Sequence, residues 1–369
     1  MTSDSDPVRI LVHQIGQLGD TIVSIPAIRA IREYFGPSAR IHILHDVQGG
    51  GLVTSDMVLA STGVDDFIPY PFSRSSVGKI RGAARLWYLL RGMRFDAVVS
   101  VLPSDRPAKS LKRDRLFFRL CGISRIIGFD AIPHDTVHPC DHSGRATATS
   151  HEAVFRLERL HAHGILRSNN GYFRLPMVTV DPRQSKAASE WLRARRRHPE
   201  FDLIAICPGC KKSANAWPTD RFVEIGRRML AGSHAELIVM GGPAERGMAE
   251  EVIAQWGGEG LLAAGEFSVT GSAAVLEHCK LMIGLDTGTT HLAAAVGVPC
   301  LVIQSANSSP GHWDPLGEGH SIIRHSVPCA GCLHHDCPVE GHPCMRDITV
   351  DEVWESVQQV MSKHRTVVP

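Results

Sequence analysis

The chain has 369 residues, which is too long for one ordinary hydrophobic core and indicates two domains. Its composition, 43% apolar and 21% charged residues with a net charge of +1, is typical of a globular protein and gives no global support for nucleic-acid binding. The short acidic N-terminus does not resemble a secretory signal, and no apolar run approaches the ~18–20 residues that span a bilayer, so we expect a cytoplasmic protein.

Strands and helices alternate through the first half of the chain. Residues 8–14 form a β-rich apolar run, residues 16–20 form a glycine-containing loop, and residues 21–35 repeat apolar side chains at helical spacing. The further predicted elements are a strand at 39–45, a helix at 77–91, a strand at 96–102, a helix at 108–121, a strand at 125–129 and a helix at 152–164. This alternation predicts a parallel sheet that is covered on both faces.

The alternation starts again after a linker around residues 175–182. The predicted elements are helix 184–197, strand 203–207, helix 220–230, strand 236–240, helices 244–255 and 272–278, and a strand, turn, helix and strand between residues 281 and 304. Thr349, with Glu352 three residues later, forms a capping box that starts a final helix from residue 350 to about 364. The predicted fold class is therefore α/β, with two doubly wound halves.

A turn of sequence Asp-Thr-Gly-Thr-Thr-His at residues 286–291 joins an apolar strand to an alanine-rich helix. Because this turn opens a helix, we expect the backbone N–H groups of Gly288, Thr289 and Thr290 to point outward unpaired, at the positive end of the helix dipole. Such a place suits a phosphate. The alternative is an ordinary strand-to-helix turn capped by Thr287.

Four motifs in a fixed order extend over nearly the whole chain. They are ILVHQIGQLGDTIVSIPAIRAIR, then NAWPTDRFVEIGRRM with LIVMGGPAER, then DTGTTHLAAAVGVP, and finally CPVEGHPCMRDITVDEV. Together they resemble glycosyltransferase family 9, the ADP-heptose:lipopolysaccharide heptosyltransferases. The resemblance implies a GT-B architecture, in which residues 1–176 form a Rossmann-like domain that binds the acceptor and residues 177–348 form a second one, across a cleft, that binds the nucleotide sugar. It also implies that residues 349–369 form a helix that crosses back to the N-terminal domain.

Asp20 ends the first strand-to-helix loop and occupies the position of the family's catalytic base. A carboxylate there could take the proton from an acceptor hydroxyl. The alternative role is an N-cap on the helix that begins at Thr21, and the two roles can coexist. Gly16 and Gly19 would make the loop compact and let substrate approach closely, or would serve turn geometry alone.

The resemblance places the donor diphosphate at Thr287, Gly288 and Thr289, with Asp286 and His291 shaping the site. For His291 the alternative is a buried polar residue that is hydrogen-bonded to the backbone. In the same half, Glu245 could accept hydrogen bonds from the ribose hydroxyls, or could be an acidic residue favoured by the helix dipole.

One position departs from the family pattern. The family commonly has a lysine two residues before the Trp-Pro, and this chain has Asn215 there. Lys211 and Lys212 lie upstream and could supply the charge. The motifs carry no aspartate cluster for a metal, so we expect helix dipoles and basic groups to stabilise the leaving diphosphate without a catalytic cofactor.

Four cysteines lie close together near the C-terminus. Cys329, Cys332, Cys337 and Cys344 have the spacing C-x2-C-x4-C-x6-C. In a cytoplasmic protein such a cluster could hold a structural zinc or iron ion. The alternative is a set of packed thiols, or a disulfide formed on oxidation.

The segment of residues 67–95 contains no acidic residue and several arginines, with Leu86, Trp87, Leu89 and Leu90 among them. Such a segment could contact an inner-membrane surface or the phosphates of a glycolipid acceptor. A solvated helix face is the alternative.

The function that these expectations support is inverting transfer of heptose from ADP-heptose to a lipopolysaccharide inner-core acceptor by a cytoplasmic enzyme, peripheral on the inner membrane. The partners would be the nucleotide sugar and a lipid-linked saccharide, without nucleic acid. Two alternatives stay open: a protein O-heptosyltransferase, and a nucleotide-sugar-binding or epimerase-like protein without transferase activity. The sequence alone does not fix the sugar, the base or the acceptor.

Overall fold

The computed structural model describes residues 7–46, 62–71, 75–166, 171–232 and 234–365. The chain forms two compact units. The first consists of Met1–Val137 with Ser150–Arg174, and the second of His138–Thr149 with Leu175–Pro369. Each unit is built on its own parallel sheet, so the predicted α/β fold class is confirmed.

The first unit has a five-stranded parallel sheet in the order β3-β2-β1-β4-β5. Its elements are β1 (Arg9–His13), α1 (Leu18–Val23), α2 (Ile25–Phe35), β2 (Arg40–Asp46), β3 (Asp66–Tyr70), α3 (Ser76–Met93), β4 (Ala97–Ser100), α4 (Ala108–Leu120), β5 (Arg125–Ile127), α5 (His134–Val137) and α6 (Glu152–Ala162). The central strand β1 is buried along Ile10, Leu11 and Val12, as expected for a strand covered on both faces.

The predicted single helix at 21–35 is wrong, because the structure has two helices there. The first begins three residues earlier, at Leu18, and the second begins at Ile25. Pro26 lies at the start of the second helix, where its missing N–H is tolerated, whereas inside one continuous helix it would remove a hydrogen bond.

The second unit has a six-stranded parallel sheet in the order β11-β10-β9-β6-β7-β8. Its elements are α7 (Pro182–Arg195), β6 (Asp202–Cys207), α8 (Thr219–Gly232), β7 (Ala235–Val239), α9 (Arg246–Gln255), β8 (Leu261–Leu262), α10 (Val269–Leu276), β9 (Leu281–Leu285), α11 (Gly288–Ala295), β10 (Cys300–Ile303), β11 (Ser321–Ile323), α12 (Pro343–Arg346) and α13 (Val350–Arg365). The final helix α13 packs against α8, β10 and β11 within this unit.

Each sheet has one point at which the strand order reverses. In the first unit this point lies between β1 and β4, and in the second unit it lies between β6 and β9. Ligands of open α/β sheets bind beyond the carboxyl ends of the strands at such a point. The loops that follow these four strands are therefore the expected ligand sites of the two units.

Candidate functional site

Asp20 lies in the first turn of α1, directly after the loop that follows β1 at the strand reversal of the first unit. It is the third residue of α1, and its carboxylate accepts a hydrogen bond from the Gln17 backbone N–H at 2.9 Å. The expected helix start at Thr21 is therefore wrong, and Asp20 belongs to a capping box instead of being the N-cap itself. The Asp20 side chain is 23% exposed, so its carboxylate is accessible from solvent.

The two glycines that the sequence predicts in this loop have different surroundings. A Cβ added to Gly16 would lie 2.5 Å from the Asp20 Cβ, so only glycine fits beside the carboxylate. Gly19 lies inside the first turn of α1 and not in a loop as predicted, because the capping box starts the helix at Leu18.

A buried ion pair that the sequence analysis did not single out lies behind Asp20. Arg156 Nε donates to Glu152 Oε1 at 2.8 Å, and Arg156 Nη1 donates to the backbone oxygen of Asp20 at 2.8 Å. Its sequence signal is two opposite charges four residues apart on the apolar face of α6, beside Phe155 and Leu160.

The 286–291 turn follows β9, at the strand reversal of the second unit. Helix α11 begins at Gly288, and the Thr287 side chain makes no capping hydrogen bond. The N–H of Thr290 donates to Thr287 O at 3.1 Å, so the expectation that this group is unpaired is wrong. This hydrogen bond, between residues three apart, forms the tight 3-10 turn with which many helices begin. The N–H groups of Gly288 and Thr289 make no backbone hydrogen bond within the described residues.

Glu245 lies in the loop after β7, and its side chain folds over the loop after β6. Its Oε2 accepts a hydrogen bond from the Gly242 N–H, and a Cβ added to Gly209 would lie 2.7 Å from Glu245 Cγ. Burial raises the pKa of the Cys210 thiol to about 11, and the negative charges of Glu245 and Asp286 contribute to this. Two of the predicted donor-site carboxylates therefore lie around Cys210.

His291 is buried in the first turn of α11. Its Nε2 lies 3.7 Å from Asp286 Oδ1, and its ring packs edge-on against Trp313 with centroids 6.3 Å apart. Both predicted roles, a residue that shapes the donor site and a buried polar residue, are compatible with this position.

The loop after β6 carries the position where the family commonly has lysine. Asn215 is buried, whereas Lys211 and Lys212 are both exposed.

Arg324, directly after β11, is a further cation of the second unit that the sequence analysis missed. Its Nη2 donates to Asp314 Oδ1 at 3.3 Å; burial lowers the pKa of Arg324, and the charges of Asp314 and Asp286 oppose this.

Comparison with known proteins identifies the family of this chain. The profile of the family described as glycosyltransferase family 9 (heptosyltransferase) matches residues 142–342, which is more than half of the chain. The chain belongs to glycosyltransferase family 9.

The chain is also similar to lipopolysaccharide heptosyltransferase 2 of Salmonella typhimurium, with 25% identity over 169 residues. This match covers 44% of the chain and 48% of the relative, so the chain spans about half the length of that protein. Among solved structures, a family 9 glycosyltransferase from Veillonella parvula superposes with a TM-score of 0.72 at 18% identity, covering 98% of this chain and 99% of that one. The ADP-heptose lipopolysaccharide heptosyltransferase II of Escherichia coli superposes with a TM-score of 0.68 at 20% identity, covering 97% and 100%. These structural matches support the GT-B fold.

The four clustered cysteines of this family 9 chain line one cavity of about 60 Å³, together with His334 and His342. All four thiols are free, and within the described residues no three His, Cys, Asp or Glu side chains are arranged to hold a metal ion. The segment is bonded to the loop after β6: Ala214 N–H donates to His335 O at 3.1 Å, and Ser213 Oγ donates to Asp336 at 2.6 Å.

The acid-free segment forms α3, which packs against α4. Leu86 and Leu90 are buried in the core of the first unit, so their predicted place on a membrane-facing surface is wrong. The exposed apolar side chains of the two helices are instead Val77, Ile80, Trp87, Tyr88, Leu89, Leu116 and Leu120. Arg74, also in the segment, lies outside the described residues.

Exposed basic side chains are interspersed with these apolar ones along both helices, and we name the exposed residues of the two helices the basic surface. Its cations are Lys79, Arg81, Arg85, Arg91, Lys109, Lys112, Arg113, Arg115 and Arg119. The acidic residue on these helices, Asp114, pairs with Arg113 at 2.8 Å. Within the described parts of the chain, no helix is long and apolar enough to cross a membrane.

Proposed function

We propose that this protein is an inverting glycosyltransferase that moves heptose from ADP-heptose to a lipopolysaccharide inner-core acceptor. The observation that carries the proposal is the 286–291 turn, which opens the eight-residue helix α11 at the strand reversal of the second unit. Glu245 and the loop after β6, which carries Lys211 and Lys212, lie beside this turn. Family membership and the names of the relatives supply the sugar.

In this proposal the second unit holds the donor. The N–H groups of Gly288 and Thr289 and the positive end of α11 bind the diphosphate, and Lys211 and Lys212 add positive charge. Glu245 accepts hydrogen bonds from the ribose hydroxyls. These groups stabilise the charge that develops on the leaving ADP.

Asp20 supplies the base. It takes the proton from the acceptor hydroxyl while the acceptor oxygen forms a bond to the anomeric carbon and the bond from that carbon to the diphosphate oxygen breaks. Attack from the face opposite to the departing ADP inverts the anomeric centre.

A thermal-shift comparison of ADP-, UDP- and GDP-sugars tests the donor. A ligand that binds the folded state raises the melting temperature according to its concentration relative to Kd, so ADP-heptose should stabilise the second unit most. Stabilisation by UDP-sugars alone would exclude the heptose assignment.

The asparagine at the usual lysine position favours one rival, a nucleotide-sugar-binding protein without transferase activity. Mass analysis of the acceptor after incubation with ADP-heptose separates the two. A mass increase of one heptose supports transfer, whereas binding of ADP-heptose without any product supports the rival. A product formed on protein but not on saccharide acceptors would support the protein O-heptosyltransferase alternative.

We further propose that the acceptor is lipid-linked and that the basic surface rests on an anionic membrane. Trp and Tyr prefer the membrane interface, and basic side chains around them attract anionic lipids by roughly 1 kcal/mol each. Trp87 Nε1 donates to Leu120 O at 2.9 Å and so connects the two helices of this surface. A second copy of the chain is a less suitable partner for the basic surface, because pairing two such surfaces would place the nine cations of one copy opposite the nine of the other.

Flotation with vesicles of phosphatidylglycerol and phosphatidylethanolamine, compared with phosphatidylcholine alone, tests this surface. Arg81→Glu/Lys112→Glu should weaken binding to anionic vesicles roughly 25-fold or more, since each basic residue contributes about fivefold. Arg183→Glu/Arg193→Glu, the same charge change on exposed residues of α7, is the matched control. Equal binding by both variants, or dimerisation without vesicle binding, would refute the proposal.

The structural metal ion at the four cysteines stays a proposal, since the thiols would have to move to coordinate one. Elemental analysis of protein purified without chelator, compared with Cys332→Ser/Cys337→Ser, tests it. About one zinc or iron per chain, lost in the variant, supports the ion. Metal-free protein in which the thiols of the cluster react with a thiol reagent, with two fewer reacting in the variant, would favour packed cysteines instead.

A further inference from the structure

Glu152 and Arg156 form an ion pair that is removed from water. Glu152 is fully buried, Arg156 is 1% exposed, and both lie on the side of α6 that faces the core of the first unit. Such a pair is weak evidence for stability, because two apolar side chains of similar volume often stabilise a protein as much or more. Its contacts therefore matter more than its burial.

The buried Arg156 guanidinium contacts Asp20 from the protein interior. Arg156 Nη1 donates to the backbone oxygen of Asp20 at 2.8 Å, and Arg156 Nη2 lies 3.7 Å from Asp20 Oδ1. Nη2 is buried and makes no hydrogen bond within the described residues. A movement of about 1 Å would bring it into hydrogen-bonding range of the carboxylate.

Glu152 contacts the other loop at the strand reversal. Its carboxylate accepts hydrogen bonds from the N–H of Ser104, at 3.0 Å from Oε1, and from the Ser104 hydroxyl. Ser104 lies in the loop after β4, whereas Asp20 lies in the first turn of α1, which ends the connection after β1. The ion pair therefore connects the two loops that flank the strand reversal of the first unit.

We propose that Glu152 and Arg156 are positioning residues for Asp20. Arg156 fixes the orientation of the Asp20 carboxylate and, through its positive charge, keeps it ionised and ready to accept a proton. Glu152 holds Arg156 in place and ties it to Ser104. The inference rests on the proposed role of Asp20 as the base, and it adds which residues make that base effective.

Among the residues that the structure describes, Arg156 pairs with the Asp20 carboxylate, and Glu152 pairs in turn with Arg156. Arg159, one turn further along α6, is also buried, but it donates to Leu102 O at 3.0 Å. An opposite charge about 4 Å away lowers the pKa of a carboxyl group by roughly one to three units. Removal of Arg156 should therefore move the acidic limb of the kcat/KM profile to higher pH by at least about one unit.

The test uses variants that keep the buried charge balanced. Glu152→Gln/Arg156→Met removes both charges together, and Arg156→Lys keeps the positive charge but loses the two-pronged guanidinium. Arg159→Met, a buried arginine on the same helix, is the matched control. Transfer from ADP-heptose is measured against pH, with the melting temperature and ADP affinity recorded for each variant.

We expect the double variant to fold, to bind ADP with unchanged affinity and to lose roughly 100-fold in kcat. Its acidic limb should move to higher pH, but by less than the loss of Arg156 alone would give, because the negative charge of Glu152 is removed as well. Arg156→Lys should keep the acidic limb of the pH profile at its wild-type position but should have a lower kcat than the wild type. A double variant with wild-type kcat and pH profile would overturn the inference, as would losses in Arg159→Met of the same size. If Asp20→Asn retains turnover, the proposed base itself is wrong; if only the ion-pair variants behave like the wild type, this inference alone fails.

Discussion

Asn215 Oδ1 accepts a hydrogen bond from Ser305 Oγ at 2.8 Å, and Asn215 is only 6% exposed. The residue at the position of the family's lysine therefore points into the second unit and bonds the loop after β6 to the segment after β10. It stabilises this loop and does not supply charge to a phosphate.

Introducing the family's lysine at position 215 should therefore improve neither the stability of the protein nor its affinity for ADP. Asn215→Lys places an ammonium group in a buried site that now holds a neutral amide, and leaves the Ser305 hydroxyl without its acceptor. We expect a loss of about 1–3 kcal/mol in the free energy of unfolding and no gain in ADP affinity. Chemical denaturation and calorimetry of ADP binding measure both. Tighter binding at unchanged stability would show that position 215 faces the diphosphate.

The exposed lysines of the same loop should carry the charge. Lys211→Ala/Lys212→Ala is expected to raise the Kd for ADP-heptose roughly tenfold, which corresponds to about 1.4 kcal/mol. The difference should shrink at high salt, because exposed charges are screened. Lys186→Ala/Arg193→Ala on α7 is the control. Unchanged affinity in the loop variant would remove these lysines from the donor site.

The loop around Asp20 should not tolerate a larger residue at position 16. In Gly16→Ala the new Cβ would lie 2.5 Å from Asp20 Cβ, so the carboxylate must move. We expect a drop in kcat of roughly 10–100-fold, with ADP affinity unchanged since the proposed donor residues belong to the second unit. Gly92→Ala, where an added Cβ meets open space in α3, should have wild-type turnover. Equal activity of the two variants would contradict the close packing at Asp20.

The acid stability of the first unit should depend on His13. Burial, and then the positive charges of Arg106 and Arg113, lower the pKa of His13 to about 3. The unfolded chain therefore binds a proton that the folded chain excludes between about pH 6.5 and 3, and the free energy of unfolding falls as the pH falls through this window. The loss is at most about 1.4 kcal/mol per pH unit.

His13→Leu should flatten this pH dependence, measured by urea denaturation between pH 6.5 and 4. His161→Leu, on an exposed residue of α6, should leave the slope as in the wild type. If the free energy of unfolding changed with pH equally steeply in the wild type, His13→Leu and His161→Leu, a neutral buried His13 would be contradicted.

Much of the fold could be predicted from local sequence. Continuous apolar runs identified β1, β4, β6 and β9, because strands covered on both faces contain few polar residues. The edge strand β3 was not predicted, since its sequence DFIPY contains an acid and a proline that an edge tolerates. The start of α1 was also missed, because the capping box of Gln17 and Asp20 does not use the usual Ser or Thr.

The candidate site was predictable only in part. The positions of Asp20 and of the 286–291 turn follow from motifs at strand ends. The contacts of Arg156, by contrast, join residues 136 positions apart, and the burial of Asn215 depends on a partner 90 positions away. Such contacts follow from tertiary packing and leave no periodic signal in the chain.

Transfer of heptose by Asp20→Asn, compared with the wild type, tests the account most directly. The measurement is the rate of ADP release from ADP-heptose in the presence of a lipopolysaccharide inner-core acceptor, with the product mass recorded. The amide cannot accept the acceptor proton, so we expect turnover to fall roughly 10²–10⁴-fold while ADP-heptose still binds with wild-type affinity. Undiminished turnover by Asp20→Asn would contradict the assignment of the base, and the absence of any heptosylated product from the wild type would contradict the proposed reaction.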